Sequence, residues 1–227
     1  MNQPMDELRA IVMRAENTWT STAIPRLRMV RGEACSDQVY EPMIHLVLQG
    51  TKILSIGDQI LQFEPATYFV VPVDVPAIGQ IGYDKPDACY LALSLTLDPV
   101  VIAGMLAEQE DDNAAPHPPR FSVSTATPDL IDACLRMMRL IDRPKEVAML
   151  APMIEREILF RVLQGPQGDM LRQAFTVRRC SRRASPSCCV AVIRSWDQWT
   201  GVARLALCVT GRRCELQVGP DVVNRMD

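Results

Sequence analysis

Residues 39–81 read VYEPMIHLVLQGTKILSIGDQILQFEPATYFVVPVDVPAIGQI. The stretch holds short runs rich in β-branched, leucyl and aromatic side chains: MIHLVLQG (43–50), KILSIG (52–57), QILQFE (59–64) and YFVVPV (68–73). Turn-forming residues stand between them, at Gly50-Thr51, Gly57-Asp58 and Glu64-Pro65. Runs of this length with period-two alternation, closed by glycine, proline and aspartate, read as consecutive β-strands. Two more lie outside the window, RLRMVRG (26–32) and CYLALSL (89–95), with Asp84-Lys85-Pro86 as the turn before the second. Many short strands with close turns predict a barrel or sandwich.

The period changes on either side. Residues 4–16 suit a short helix with Leu8, Ile11, Val12 and Ala15 on one side. Asp98-Pro99 and Thr127-Pro128 each place an N-capping side chain before a proline at the first helical position. Leu130, Cys134, Met137, Met138 and Ile141 then fall on one face, as an amphipathic helix requires. Pro144 opens a last helix with Val147, Ala151, Ile154 and Ile158 as its stripe and Gly165 at its end. The expected fold is mainly β with α: a barrel followed by an antiparallel helical pair. DDNAAPHPPR (111–120) reads as a linker.

Composition sets further bounds. The chain has 227 residues, 48% of them hydrophobic, which is ordinary for a folded protein. No stretch approaches 18 uncharged apolar residues, so no membrane span is expected. MNQPMDELRAIVMRA (1–15) carries acids and no long apolar run, unlike an export signal. A cytoplasmic location and free thiols are therefore expected.

The order and spacing of residues 39–81, DACYLALSLTLDP (87–99), LIDACLRMMRLIDRP (130–144) and LAPMIEREILFRVLQGPQGDMLRQ (150–173) resemble the effector-sensing and dimerisation half of AraC-type transcription regulators. The resemblance covers roughly residues 20–173. It implies a cupin-like β-barrel (a double-stranded β-helix), dimerising helices, a small-molecule effector and a following DNA-binding domain of two helix-turn-helix units. It assigns residues 1–173 to sensing and dimerisation as a homodimer. The dimer contact is expected on Leu130, Cys134, Met137, Met138, Ile141, Leu150, Ile154 and Ile158.

Cupin enzymes hold a metal on histidines and a glutamate inside the barrel. Here the glutamate position falls on Met43, the last histidine position near Ala77 and the His-x-His pair near Asp37–Val39. The chain has two histidines, His45 and His117, which cannot make a three-histidine site. No metal, other cofactor or catalytic residue is expected. His45 shares its phase with Met43, Val47 and Gln49, so these four are expected to line the interior. His45 then either contacts an effector or is a core histidine satisfied by a neighbour. Trp19, Tyr83 and Tyr90 are candidate stacking surfaces or plain core. His117 lies in the linker, where solvation is expected. Glu155-Arg156-Glu157 reads as a solvated helix face with an ion pair, because adjacent helical residues point different ways.

Residues 174–227 differ in kind. They carry nine arginines, four acids, no lysine and no histidine, against 15 basic and 23 acidic residues before them. The tail is thus +5 and the body −8. Five of the eight cysteines and two of the three tryptophans are here. The cysteines (Cys180, Cys188, Cys189, Cys208, Cys214) show no C-x-x-C spacing and no histidine to complete a zinc module. RRCSRR (178–183) is basic but has no helix-turn-helix pattern around it. The segment reads as a disordered or out-of-frame tail, with VAVIRSW (190–196) and VARLALCV (202–209) as apolar runs lacking a partner strand. The expected function is a regulator's sensing and dimerisation module without its own DNA binding. The alternatives are a small cupin-type enzyme, or a regulator whose tail is an unfamiliar DNA-binding element.

Overall fold

The computed structural model describes residues 3–16, 18–32, 36–82, 89–108 and 121–175, together with 190–192 and 206–208. Tyr83, the 84–86 turn, the 111–120 linker, His117 and RRCSRR lie outside the described residues. The chain divides into two units, Met1–Ala174 and Phe175–Asp227.

The first unit opens with α1 (Gln3–Val12) and continues through strands β1 (Trp19–Ser21), β2 (Leu27–Arg31), β3 (Ser36–Tyr40), β4 (Met43–Gln49), β5 (Thr51–Ile56), β6 (Gln59–Phe63), β7 (Thr67–Val71), β8 (Val75–Gly82) and β9 (Leu91–Thr96). Helix α2 (Pro99–Glu108), the two-residue β10 (Ser124–Thr125), α3 (Pro128–Arg139), α4 (Pro144–Gln164) and α5 (Gly168–Phe175) follow. The strands form two antiparallel sheets, β1-β2-β9-β4-β7-β10 and β3-β8-β5-β6. Their inner faces share one core, with Met43, Val47, Phe69, Val71 and Ala92 from the first and Tyr40, Leu54, Ile56, Phe63, Val75 and Ala77 from the second. This is a cupin-like β-barrel.

The two sheets meet water differently. On β5 and β8 buried and accessible residues alternate, as in a sheet with one wet face. Every residue of β4 from Met43 to Leu48 is buried. Its outward residues Ile44, Leu46 and Leu48 are closed off because α1 packs on β2, β4 and β9. Gly50 (φ +76°) makes the β4–β5 turn, and a Cβ there would press on the Gly82 carbonyl and the Tyr90 backbone at 3.3–3.4 Å.

Strand β8 has no clear sequence signature, since VPAIGQIG contains Pro76 and two glycines. The register explains the tolerance. Pro76 faces Val39 of β3, while β5 pairs only with Ile78–Gly82, so Pro76 stands where β8 has one neighbour and owes no second ladder bond.

The caps expected at Asp98 and Thr127 form. The Asp98 carboxylate accepts from the Val100 N–H at 2.9 Å and the Thr127 hydroxyl from the Leu130 N–H at 3.3 Å. Arg136–Glu157 (2.7 Å) and Arg161–Asp129 (3.0 Å) bridge α3 and α4 in antiparallel order. Leu130, Cys134, Met137, Met138, Ile154 and Ile158, expected at a dimer contact, are instead buried within the chain, and Ile141 is half-buried. The reason is that α3 has apolar residues on more than one side and spends them on α1 and α4. Burial also raises the Cys134 thiol to about 12, so it stays protonated.

Two polar side chains fasten the helices to the barrel. Arg26, in the left-handed region at φ +63°, donates to both Glu155 oxygens (3.1 and 2.6 Å) and lies 3.3 Å from Asp98. Glu155 is therefore buried at 5% exposure, not on a solvated face. Gln167, fully buried, accepts from the Val70 N–H (2.8 Å) and donates to the Tyr68 carbonyl and the Ser124 hydroxyl (3.0 Å each). Its amide stands in for a strand where β10 pairs only with Thr67 and Tyr68.

In the second unit, Val190–Val192 and Ala206–Cys208 pair antiparallel, Val190 opposite Cys208. The two apolar runs expected to lack a partner strand thus satisfy each other's backbone.

Gln167→Leu keeps the volume but takes a partner from the buried Val70 N–H, the Tyr68 carbonyl and the Ser124 hydroxyl, the last of which keeps its bond to the Tyr68 side chain. It should lower unfolding free energy by about 2–4 kcal/mol, read from the urea midpoint.

Candidate functional site

The barrel interior holds three buried polar side chains among the described residues, His45, Lys52 and Ser94. Alternation on β4 directs Met43, His45 and Val47 inward, as expected. A bulge between Val47 and Gln49 breaks the phase, and Gln49 is half-buried with its amide donating to the Cys89 carbonyl at 2.9 Å. His45 is fully buried, its Nε2 2.8 Å from the Tyr90 hydroxyl. The Tyr90 and His45 rings stack at 10°, and Phe69 lies 4.9 Å from the His45 centroid. Half-buried Trp19 meets His45 edge-on at 6.1 Å. The structure therefore brings Trp19, Met43, His45, Val47 and Tyr90 together and sets Gln49 at the margin.

Sequence reasoning missed the most unusual member, Lys52. On β5 the inward phase runs Lys52, Leu54, Ile56. A lysine in phase with two aliphatic residues was the available signal. Lys52 is 4% exposed, and its ammonium lies 4.9 Å from the Tyr40 ring centroid and 5.9 Å from those of Phe69 and Tyr90. It forms no salt bridge among the described residues. Gly79 is part of this arrangement: a Cβ there would collide with the Tyr40 hydroxyl. Ser94, opposite His45 on β9, points its hydroxyl at the Met43 sulfur at 3.0 Å.

Burial sets the protonation states. It lowers Lys52 to about 8. Burial and then the Lys52 charge hold His45 well below its ordinary value, so the imidazole is neutral at pH 7. Burial and then Tyr40 keep the Tyr90 phenol well above its ordinary value, hence protonated. The His45 Nδ1 is buried without a hydrogen-bond partner among the described residues. Among those residues, no group of three or more His, Cys, Asp or Glu side chains could hold a metal ion.

A second feature lies on the helical pair. A groove of about 460 Å³ is lined by Arg136, Arg139, Arg143, Glu146, Leu150 and Met153, among others. Met149, Met153 and Phe160 continue it as an exposed apolar stripe along α4.

The chain belongs to the family of the AraC-type transcriptional regulator N-terminus, whose profile matches residues 23–170. No match is found among curated proteins. Solved structures similar to the chain include apo ToxT K231A from Vibrio cholerae strain SCE256, at 7% identity and TM-score 0.45 over 66% of this chain and 58% of that one. The AraC-like transcriptional activator CuxR is 14% identical, with TM-score 0.34 over 71% of this chain and 52% of its own. A cupin-2 domain protein from Shewanella frigidimarina NCIMB 400 is 16% identical, with TM-score 0.25 over 31% of this chain and 69% of that one. The chain thus spans little more than half the length of these two regulators. No helix among the described residues is long and apolar enough to cross a membrane.

Lys52 carries a pH signature. Its folded value near 8 lies below the ordinary 10.5, so between these the unfolded chain binds more protons and stability rises with pH. Below pH 8 the full penalty, about 3 kcal/mol, is present. Lys52→Met should therefore raise the urea midpoint at pH 7, and the gain should shrink as pH climbs from about 8 towards 10.5.

Proposed function

We propose that this chain is the effector-sensing and dimerisation module of an AraC-type regulator. A small effector held inside the barrel biases a homodimer built on α4, and the chain does not itself read DNA. The observation that carries this reading is the α4 stripe. Met149, Met153 and Phe160 are exposed along one face of α4, with exposed Leu150 beside them, next to a groove holding both arginines and glutamates. An apolar band flanked by both charge signs is self-complementary, which suits a two-fold contact between copies.

A regulatory role fits the barrel better than catalysis. His45 is neutral, pinned by Tyr90, and no carboxylate stands beside it among the described residues to orient a general base. An effector would act by binding one dimer arrangement more tightly than another.

Light scattering on the full chain should give a dimer mass at micromolar concentration. The double variant Met153→Glu, Phe160→Glu should be monomeric with an unchanged circular dichroism spectrum. A monomeric parent chain would overturn the reading.

The sequence of residues 174–227 supplies arginines but not the spacing of paired amphipathic helices that could enter a groove. Charge alone gives weak, salt-sensitive attachment. Selection from random duplexes at about 0.15 M salt should yield no consensus bound tighter than about 10⁻⁷ M. A consensus lost on deleting 174–227 would assign DNA binding to the tail.

A further inference from the structure

The core around Lys52 is built at a cost that packing alone does not demand. A buried ammonium loses several kcal/mol of hydration. Three aromatic faces return about 0.5–2 kcal/mol each through their quadrupoles. They can soften the charge but cannot neutralise it. Leu54 and Ile56, next in phase on β5, show that the same wall takes aliphatic residues. Lys52 is also positioned: Tyr40 and Gly79 interlock to set the ring nearest its ammonium.

A second observation stands apart from the lysine. The neutral His45 ring spends Nε2 on Tyr90 and leaves Nδ1 buried and unpartnered among the described residues. Both side chains border the same two rings, Phe69 and Tyr90. Among the described residues, the barrel interior therefore holds one ammonium without a salt-bridge partner, one hydrogen-bonding nitrogen without a partner and a wall of aromatic faces reached by half-buried Trp19.

That combination discriminates among ligands. A cation would meet the Lys52 charge. A sugar needs many directed polar partners, and Ser94 and Tyr90 are already engaged. A dianionic phosphate calls for more positive charge than one ammonium. A monoanion with an apolar or aromatic body answers each feature.

We infer that the effector of this barrel is a small monocarboxylate, its carboxylate paired with the Lys52 ammonium and its apolar body against Trp19, Phe63 and Phe69. The inference rests on the effector-sensing reading above and adds the chemical class and the anchoring residue.

The test uses the full chain and matched probe pairs: octanoate with octanamide, and benzoate with benzamide. Binding is followed by calorimetry and by the thermal midpoint at pH 7. At least one carboxylate should bind about tenfold or more tighter than its amide, a difference of about 1.4 kcal/mol. That preference should vanish in Lys52→Met, whose foldedness the urea midpoint checks independently. It should also weaken at pH above the Lys52 range, as the ammonium loses its proton, while amide binding stays flat. Amides binding as tightly as carboxylates, or a preference that survives Lys52→Met, would overturn the carboxylate class and leave a neutral effector. Neither member of either pair binding at about 10 mM, where even millimolar affinity registers, would overturn the effector reading together with it.

Discussion

The central sheet must be dry on both sides. β4 is buried at every position from Met43 to Leu48, and β9 is buried from Leu91 to Leu95. One face closes against β3-β8-β5-β6 to make the barrel. The other needs a lid, and α1 supplies it with Met5, Leu8, Ile11 and Val12. α1 in turn rests on α3, held there by the paired Arg139–Glu7 hydrogen bonds at 2.7 Å. The position of the helical pair thus follows from the sheet's demand for cover.

The same demand sorts the polar groups. Residues facing the helices from β4 are aliphatic without exception, Ile44, Leu46 and Leu48. The inward face carries His45 with Ser94 beside it on β9, and Lys52 faces inward from β5 of the other sheet. In a protein whose only task was to stay folded, that distribution would be wasteful, because each buried polar group needs a partner and each buried charge a counter-charge. Three such groups nevertheless meet between the two sheets, where the proposed effector would sit.

Much of the fold was legible because its signals are local. The runs at 26–32, 43–50, 52–57, 59–64, 68–73 and 89–95 all became strands, and the Thr127-Pro128 and Pro144 signals opened the helices where expected. What escaped was set by neighbours distant in sequence. β8 hides its pattern behind Pro76, tolerable only because β5 stops short of it. β1, β3 and β10 are short edge elements whose partners define them. The interior was half legible: phase placed Met43, His45 and Val47, but lysine's usual exposure hid Lys52. The α3 stripe misled for a related reason. Amphipathic spacing says that a face is covered, not what covers it; Met137 and Met138 are covered from within, and only Leu150 of the eight residues is exposed.

The Arg26 clamp has a consequence for how the molecule comes apart. Arg26 precedes β2 and Glu155 lies in the middle of α4, 129 positions later. Undocking α4 would strand a carboxylate shaped for a guanidinium and leave the Arg26 turn, in its left-handed conformation, without the bond that rewards it. Barrel and helix are therefore not separable modules in the sense that their sequence order suggests. The start of the barrel's second strand and the middle of α4 are joined directly, by two hydrogen bonds between side chains far apart in the chain.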